Sequence, residues 1–346
     1  MTAVILAMLI GLAAVNGAND VSKGVATLAG AGVAAYRTAI IWGALTTLAG
    51  ALLSVQLGQG MGKLFSSGIV DTDPTEAFAL AVLLGTTSWV ALASVARLPV
   101  STTHAIVGAL VGGGLVLAPE AIQWQGVLRK VLLPLLLSIV VAYAISVGLA
   151  LLTRALGRPS RARPEPLRAT AAVGATRGGR STRAVTPMKT ASTNDRGLTL
   201  LHWISSGATS CARGLNDTPK IAAIGGFALL PHGYSPTGIS ILVAGAMAVG
   251  SLAGIRVARR LGDNVLKMTH TEGFTANLTT AGLVTSGALL AFPMSTTHVS
   301  TGAIVGAAGG QLHRVSGRTV RDFVIAWTVT PFCTAIVAAL AMTVVR

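Results

Sequence analysis

"LPVSTTHAIVGALVGGG" at residues 98–114 is answered by "FPMSTTHVSTGAIVGAAGG" at residues 292–310. Each copy sets a proline, three hydroxyls and a histidine between two apolar runs. Proline suits the first turn of a helix and Ser or Thr caps it, so both stretches read as helix starts. A helix start presents free backbone N–H groups and about half a unit of positive charge, the makings of an anion site. One copy alone reads as a capped turn with Ser/Thr glue between helices. Two copies in pseudo-symmetric positions favour a site that holds one tetrahedral oxyanion from both sides, through Ser101, Thr102 and Thr103 and through Ser295, Thr296 and Thr297. His104 and His298 follow directly as accessory groups, and no carboxylate is placed to orient a Ser–His nucleophile, so the chain does not read as an enzyme.

The rest of the chain is built for lipid. Of 346 residues, 52% are hydrophobic and only 11% charged, with a mean hydropathy of +0.70, whereas soluble domains carry roughly a quarter charged residues. This is the composition of an all-α polytopic membrane protein. Met1 opens onto an apolar run with no basic flank, so that run reads as a permanent segment and not a removed signal. Cys211 and Cys333 have neither disulfide-framework nor metal-ligand spacing.

Charge divides the chain and sets its orientation. Residues 154–198 form a strongly basic linker, expected to be disordered, and no aromatics or binding motif accompany its charge to suggest nucleic acid. The positive-inside rule puts this linker in the cytoplasm, with the clusters Arg256, Arg259, Arg260 and Lys267 and Arg314, Arg318 and Arg321 on the same side. Everything between those two clusters must then enter and leave by one face. The second "STTH" therefore lies at the tip of a re-entrant hairpin over 274–313, inside a C-terminal repeat of 199–346. The first repeat, 1–153, carries the matching hairpin over 77–118, entering from outside. Both termini fall outside. Inverted repeats with broken elements near the midplane are characteristic of secondary transporters.

The halves also match residue by residue. "NGANDVSK" beginning at Asn16 is answered by "RGLNDTPK" beginning at Arg213, which aligns Asn19 with Asn216, Asp20 with Asp217 and Lys23 with Lys220. "TEAF" and "TEGF" precede the two hairpins, so Glu76 pairs with Glu272, and Asn277 lies about a turn beyond Glu272. These three are accessory candidates for a further cation site, against a simpler role as charges favouring a helix start. A carboxylate inside an apolar span lines an ion path or pairs with a cation. Asn19, Asp20, Asn216 and Asp217 are the candidates for cation coupling, with Na⁺ at Asp20 and Asp217 through interrupted helices. The competing reading is internal: Asp20 with Lys23 and Asp217 with Lys220 stand at i, i+3.

Together the doubled "GAND/GLND" and "P-x-S-T-T-H" signatures resemble the inorganic phosphate transporter (PiT) family, across almost the whole chain except the linker. The resemblance implies an inverted repeat with two re-entrant hairpins, a homodimer in the cytoplasmic (inner) membrane, and symport of inorganic phosphate with Na⁺ or H⁺. It implies no cofactor beyond the coupling ion. It places phosphate on the six hydroxyl residues and the coupling cation at or near the Asn–Asp pairs. Within the same fold it also admits transport of a divalent-metal phosphate complex, or a permease for sulfate or another oxyanion. The residues leave Na⁺ and H⁺ both open.

Overall fold

The computed structural model describes residues 1–73, 75–156 and 193–345, and among them the chain is helical, with one isolated bridge between Val70 and Ile122. The first half comprises α1 (Thr2–Asp20), α2 (Ser22–Gly30), α3 (Tyr36–Leu57), α4 (Gln59–Ser67), α5 (Glu76–Val95), α6 (Thr102–Leu117) and α7 (Trp124–Leu156). The second half repeats the order with α8 (Thr193–Leu229) in place of α1 and α2, then α9 (Pro236–Ser251), α10 (Ile255–Asn264), α11 (His270–Leu289), α12 (Thr296–Ala307) and α13 (Gly317–Val345). Five described segments are long and apolar enough to cross a membrane: α1 with α2, α3, α5, α7 and α13. A sixth arises if α9 and α10, bent by 63°, count as one span. Their outward faces are oily, as with Leu136 and Val140 on α7 and Phe332 and Leu340 on α13, all exposed.

The halves exchange partners. α6 packs on α13 while α12 packs on α7, α3 packs on α8 while α1 packs on α9, and α5 lies on α1 as α11 lies on α8. Such reciprocal pairing gives the duplicated sequence a pseudo-two-fold arrangement. It depends on close helix approach through glycine. A Cβ on Gly302 of α12 would stand 2.6 Å from the Ile139 carbonyl of α7, and one on Gly108 of α6 would meet the Pro331 backbone of α13 at 2.7 Å or less.

The bases of the two hairpins lie near opposite ends of α7. α7 starts beside the base of the α5–α6 hairpin, where Gln123 N–H donates to the Ile69 carbonyl. At its far end, about 50 Å away for its 33 residues, Arg154 donates to the carbonyls of Ala308 (2.9 Å) and Gly309 (3.1 Å) at the base of the α11–α12 hairpin. His232 in the loop before α9 bonds Glu76 at the first base, whereas Arg314 holds Glu272 at the second. Each turn closes by one device: Leu98 N–H reaches the Ala93 carbonyl and Phe292 N–H the Gly287 carbonyl, both at 2.8 Å. The residue between, Arg97 (φ 61°) or Ala291 (φ 55°), takes the left-handed conformation of a Schellman helix end.

Several expected boundaries move. The turns fall at 96–98 and 290–292, so each hexapeptide lies on the returning arm and not at the tip. The second hairpin starts at His270 instead of 274, because Thr269 and Glu272 form a reciprocal capping box, and its helix ends at Ala307, before the left-handed Gly309 and Gly310, instead of running to 313. α7 runs on to Leu156 because Arg154 is anchored, and α8 begins at Thr193, so both flanks of the proposed linker are helical; residues 157–192 of it lie outside the described residues. The break after Asp20 is confined to Val21, which itself keeps helical angles. α8 has no break at all, since Pro219 removes only one N–H from a ladder supported by neighbouring helices.

Replacing Gly108 or Gly302 by Leu is expected to lower stability by about 1–3 kcal/mol through overpacking. Gly282→Leu, with nothing within 4 Å of its added Cβ, should leave thermal unfolding in detergent unchanged. Equal melting temperatures for all three variants would refute the close-approach argument.

Candidate functional site

Both hexapeptides act as helix caps. Ser101 Oγ accepts the His104 backbone N–H at 3.3 Å and Ser295 Oγ accepts that of His298 at 3.2 Å, which starts α6 and α12. The N–H groups of Thr102, Thr103, Thr296 and Thr297 then point ahead of their helices. The two starts meet: Thr297 Oγ1 donates to the Val100 carbonyl at 2.7 Å, and the His104 and His298 rings lie 4.7 Å apart. Trp327 of α13 fixes this junction by donating to the Pro99 carbonyl (3.0 Å) and lying 4.4 Å from the His298 ring. His104 Nδ1 is 2.7 Å from Ser101 Oγ and His298 Nδ1 is 3.4 Å from the Leu135 carbonyl, so both histidines are tied to the scaffold of the site.

Beneath the hydroxyls lies a buried charge cluster. Asp20, Lys23, Arg213, Asp217 and Lys220 are each 2% exposed or less. Lys23 pairs with Asp20 and also reaches Asn19 Oδ1 at 3.1 Å. Lys220 sits 3.3 Å from Asp217 Oδ1, 2.9 Å from Thr103 Oγ1 and 3.4 Å from the Met294 carbonyl. Arg213 donates to Thr47 Oγ1 (2.6 Å) and Ser251 Oγ (3.1 Å), with the Asn16 and Gly17 carbonyls at 3.5 Å. Three cations thus face two carboxylates. Of these cations, Lys220 is the one bonded to a hydroxyl of the hexapeptides.

The asparagines join this cluster to the hairpins. Asn19 donates to the Leu98 carbonyl (2.9 Å) and accepts from Val100 N–H (3.1 Å), while Asn216 donates to the Met294 carbonyl (3.0 Å) and to Asp217 Oδ1 (2.9 Å). Further links run within and between the repeats. Asn16 Nδ2 lies 3.0 Å from Thr102 Oγ1, 3.4 Å from Asp20 Oδ2 and 3.5 Å from Asp217 Oδ2, and Thr296 Oγ1 is 3.3 Å from Asp20 Oδ2. Lys220, bonded to Thr103, brings a full ammonium charge to these hydroxyls.

Three accessory candidates take other places. Glu76 and Glu272 stand at the bases of α5 and α11, held by His232 and by Arg314 with Thr269, as charges at a helix start would be. Asn277 is buried on α11, with neither side-chain polar atom bonded among the described residues, and its backbone carbonyl accepts from Thr209. Asn16 and Arg213 also belong to this buried cluster, although they are not among the sequence candidates. Their signal was available: they align with each other at the head of the two Asn-Asp motifs, and an arginine inside an apolar span is itself a mark of function.

A sequence model described as "Phosphate transporter family" matches residues 16–338. Relatives named "Probable low-affinity inorganic phosphate transporter" include one from Rhizobium meliloti (strain 1021), 28% identical and aligned over 96% of this chain and 95% of its own length. Another, from Mycobacterium bovis, is 28% identical over 91% of this chain and 70% of its own. The fold is shared with a solved structure titled "The sodium-dependent phosphate transporter", with a TM-score of 0.79 at 21% identity over 99% of this chain and 98% of that one.

Lys220→Met is expected to strand the Asp217 carboxylate and cost about 3–5 kcal/mol of stability. Adding Asp217→Asn should recover part of that loss. A double variant no more stable than Lys220→Met, read by thermal unfolding in detergent, contradicts the pairing.

Proposed function

Because the chain belongs to the phosphate transporter family, we propose that it carries inorganic phosphate across the cytoplasmic membrane by cation-coupled symport and alternating access. One observation carries the reading: two Ser/Thr-capped helix starts, one from each repeat, meet above a buried cluster that has one more cation than carboxylates. Phosphate offers four oxygens to the hydroxyls of Ser101, Thr102, Thr103, Ser295, Thr296 and Thr297. Lys220, already on Thr103, supplies charge from below.

The coupling ion is Na⁺ or H⁺, and the geometry favours the proton. Sodium binding at Asp20 or Asp217 needs free oxygens, yet each carboxylate already holds an ammonium group, and Asn19 Oδ1 is shared with the same lysine. A lysine takes Oδ1 of each carboxylate and Oδ2 faces the Asn16 amide and, at Asp20, the Thr296 hydroxyl, so a sodium ion would have to compete with these donors, whereas a proton needs only one carboxylate oxygen. The linker is assigned to the cytoplasm, both termini to the outside, and the working unit to a homodimer. Phosphate travels free or as a divalent-metal complex.

In proteoliposomes, saturable phosphate uptake should follow an imposed pH gradient and persist when Na⁺ is replaced by choline. The double variant Ser101→Ala and Ser295→Ala should weaken phosphate binding about tenfold or more, as loss of hydrogen bonds to a charged ligand does. Asp20→Asn or Asp217→Asn should uncouple or abolish transport. Uptake no greater than in protein-free vesicles under either gradient sinks the proposal, and stronger competition by unlabelled sulfate than by unlabelled phosphate would reassign the chain to an oxyanion permease of the same fold.

A further inference from the structure

The turn of the first hairpin borders a cavity of about 540 Å³ that the transport site does not use. Arg97 reaches it from the turn, Arg256, Arg259 and Arg260 from α10, and Arg318 from the start of α13. Asp263 and Asp322 are the carboxylates in its wall, and both are engaged. Asp263 accepts from the Tyr36 hydroxyl at 2.6 Å, and Asp322 accepts from Arg260 at 3.0 Å. Arg259 lies over the Tyr36 ring at 5.7 Å. The guanidinium groups of Arg97, Arg256 and Arg318 have no hydrogen-bond or ion-pair partner among the described residues. Three unpaired guanidinium groups from three separate elements thus converge on one concavity.

The turn itself does not demand this charge. Its counterpart in the second repeat has the same left-handed backbone with Ala291, and the cavity there, about 370 Å³, presents Leu290 and Phe292 with only Lys63 and Lys130 as cations. The arginines are an addition to one side of a duplicated frame. Guanidinium forks match phosphate oxygens two at a time, which is the recognition that a cluster of unpaired arginines provides.

We propose that this cavity is a second phosphate-class oxyanion site, separate from the hydroxyl site, taking either inorganic phosphate or the phosphate of an anionic lipid headgroup. Its occupant would sit four residues from Ser101, on the turn whose Leu98 carbonyl is held by Asn19. Binding there would bear on the hairpin that carries half of the transport site.

The test measures labelled inorganic phosphate binding to the full chain in nanodiscs of zwitterionic lipid. Wild type should show two saturable components. Arg97→Gln, Arg256→Gln and Arg318→Gln combined should weaken one by about tenfold or more, while Ser101→Ala with Ser295→Ala should weaken only the other. The component retained by each variant reports that it is folded. A parallel arm uses phosphatidylglycerol nanodiscs: disappearance of the arginine-dependent component there, with lipid retained through native mass spectrometry by wild type and not by the triple variant, identifies the headgroup as occupant. Persistence of that component identifies free phosphate. If the triple variant changes neither phosphate binding nor retained lipid, the proposal is overturned, whatever the fate of the hydroxyl component on which the transport reading depends.

Discussion

Five buried ionisable side chains set the terms for everything around them. An unpaired charge in a low-dielectric interior costs several kcal/mol, and ion pairing offsets that only when the remaining donors and acceptors are also met. Asp20 with Lys23 and Asp217 with Lys220 answer each other locally, one helical turn apart. Arg213 has no such neighbour and is met by Thr47, Ser251 and two carbonyls of α1. Satisfying it brings α1, α3, α8 and α9 into one bundle. The two asparagines then hold both hairpin returns against that bundle.

Consequences for movement follow from where those bonds run. Asn19 binds the Leu98 carbonyl and Asn216 the Met294 carbonyl, so each hairpin is fastened to the helix that carries its own repeat's Asn–Asp pair. Thr296 to Asp20, Lys220 to Thr103 and Thr297 to Val100 fasten each hairpin to the other repeat, and Asn16 to Thr102 adds a bond within the first. An anion at the proposed site between the helix starts would compete for those same hydroxyls. Hydroxyl groups suit such an exchange because they can turn from a protein partner to a ligand at little cost, whereas the paired carboxylates cannot.

The duplication is symmetric in frame and asymmetric in chemistry. Asn16 and Arg213 occupy equivalent places, one neutral and one charged. The first hairpin turn has Arg97 where the second has Ala291. α8 runs unbroken where α1 and α2 are separated at Val21. Asn16 and Arg213 fall in the buried centre while Arg97 and Ala291 line separate cavities, so the differences give the two sides of the frame unequal charge.

Much of this was legible in the residues themselves. Composition required a membrane, the doubled "P-x-S-T-T-H" and Asn-Asp motifs required two related halves, and a polar hexapeptide between apolar arms had nowhere to go but the interior. Those are consequences of local chemistry and of the cost of placing charge in hydrocarbon. Only the folded chain decided which groups meet. Lys220 could be read as a partner for Asp217 at i, i+3, yet its bond to Thr103 joins positions 117 residues apart. The start of α11 at His270 was hidden by the polar run "HTEGFT", whose helix rests on a reciprocal cap and not on hydrophobic periodicity. Periodicity states which face of a helix is buried; the identity of the helix across from it depends on how all of them pack together.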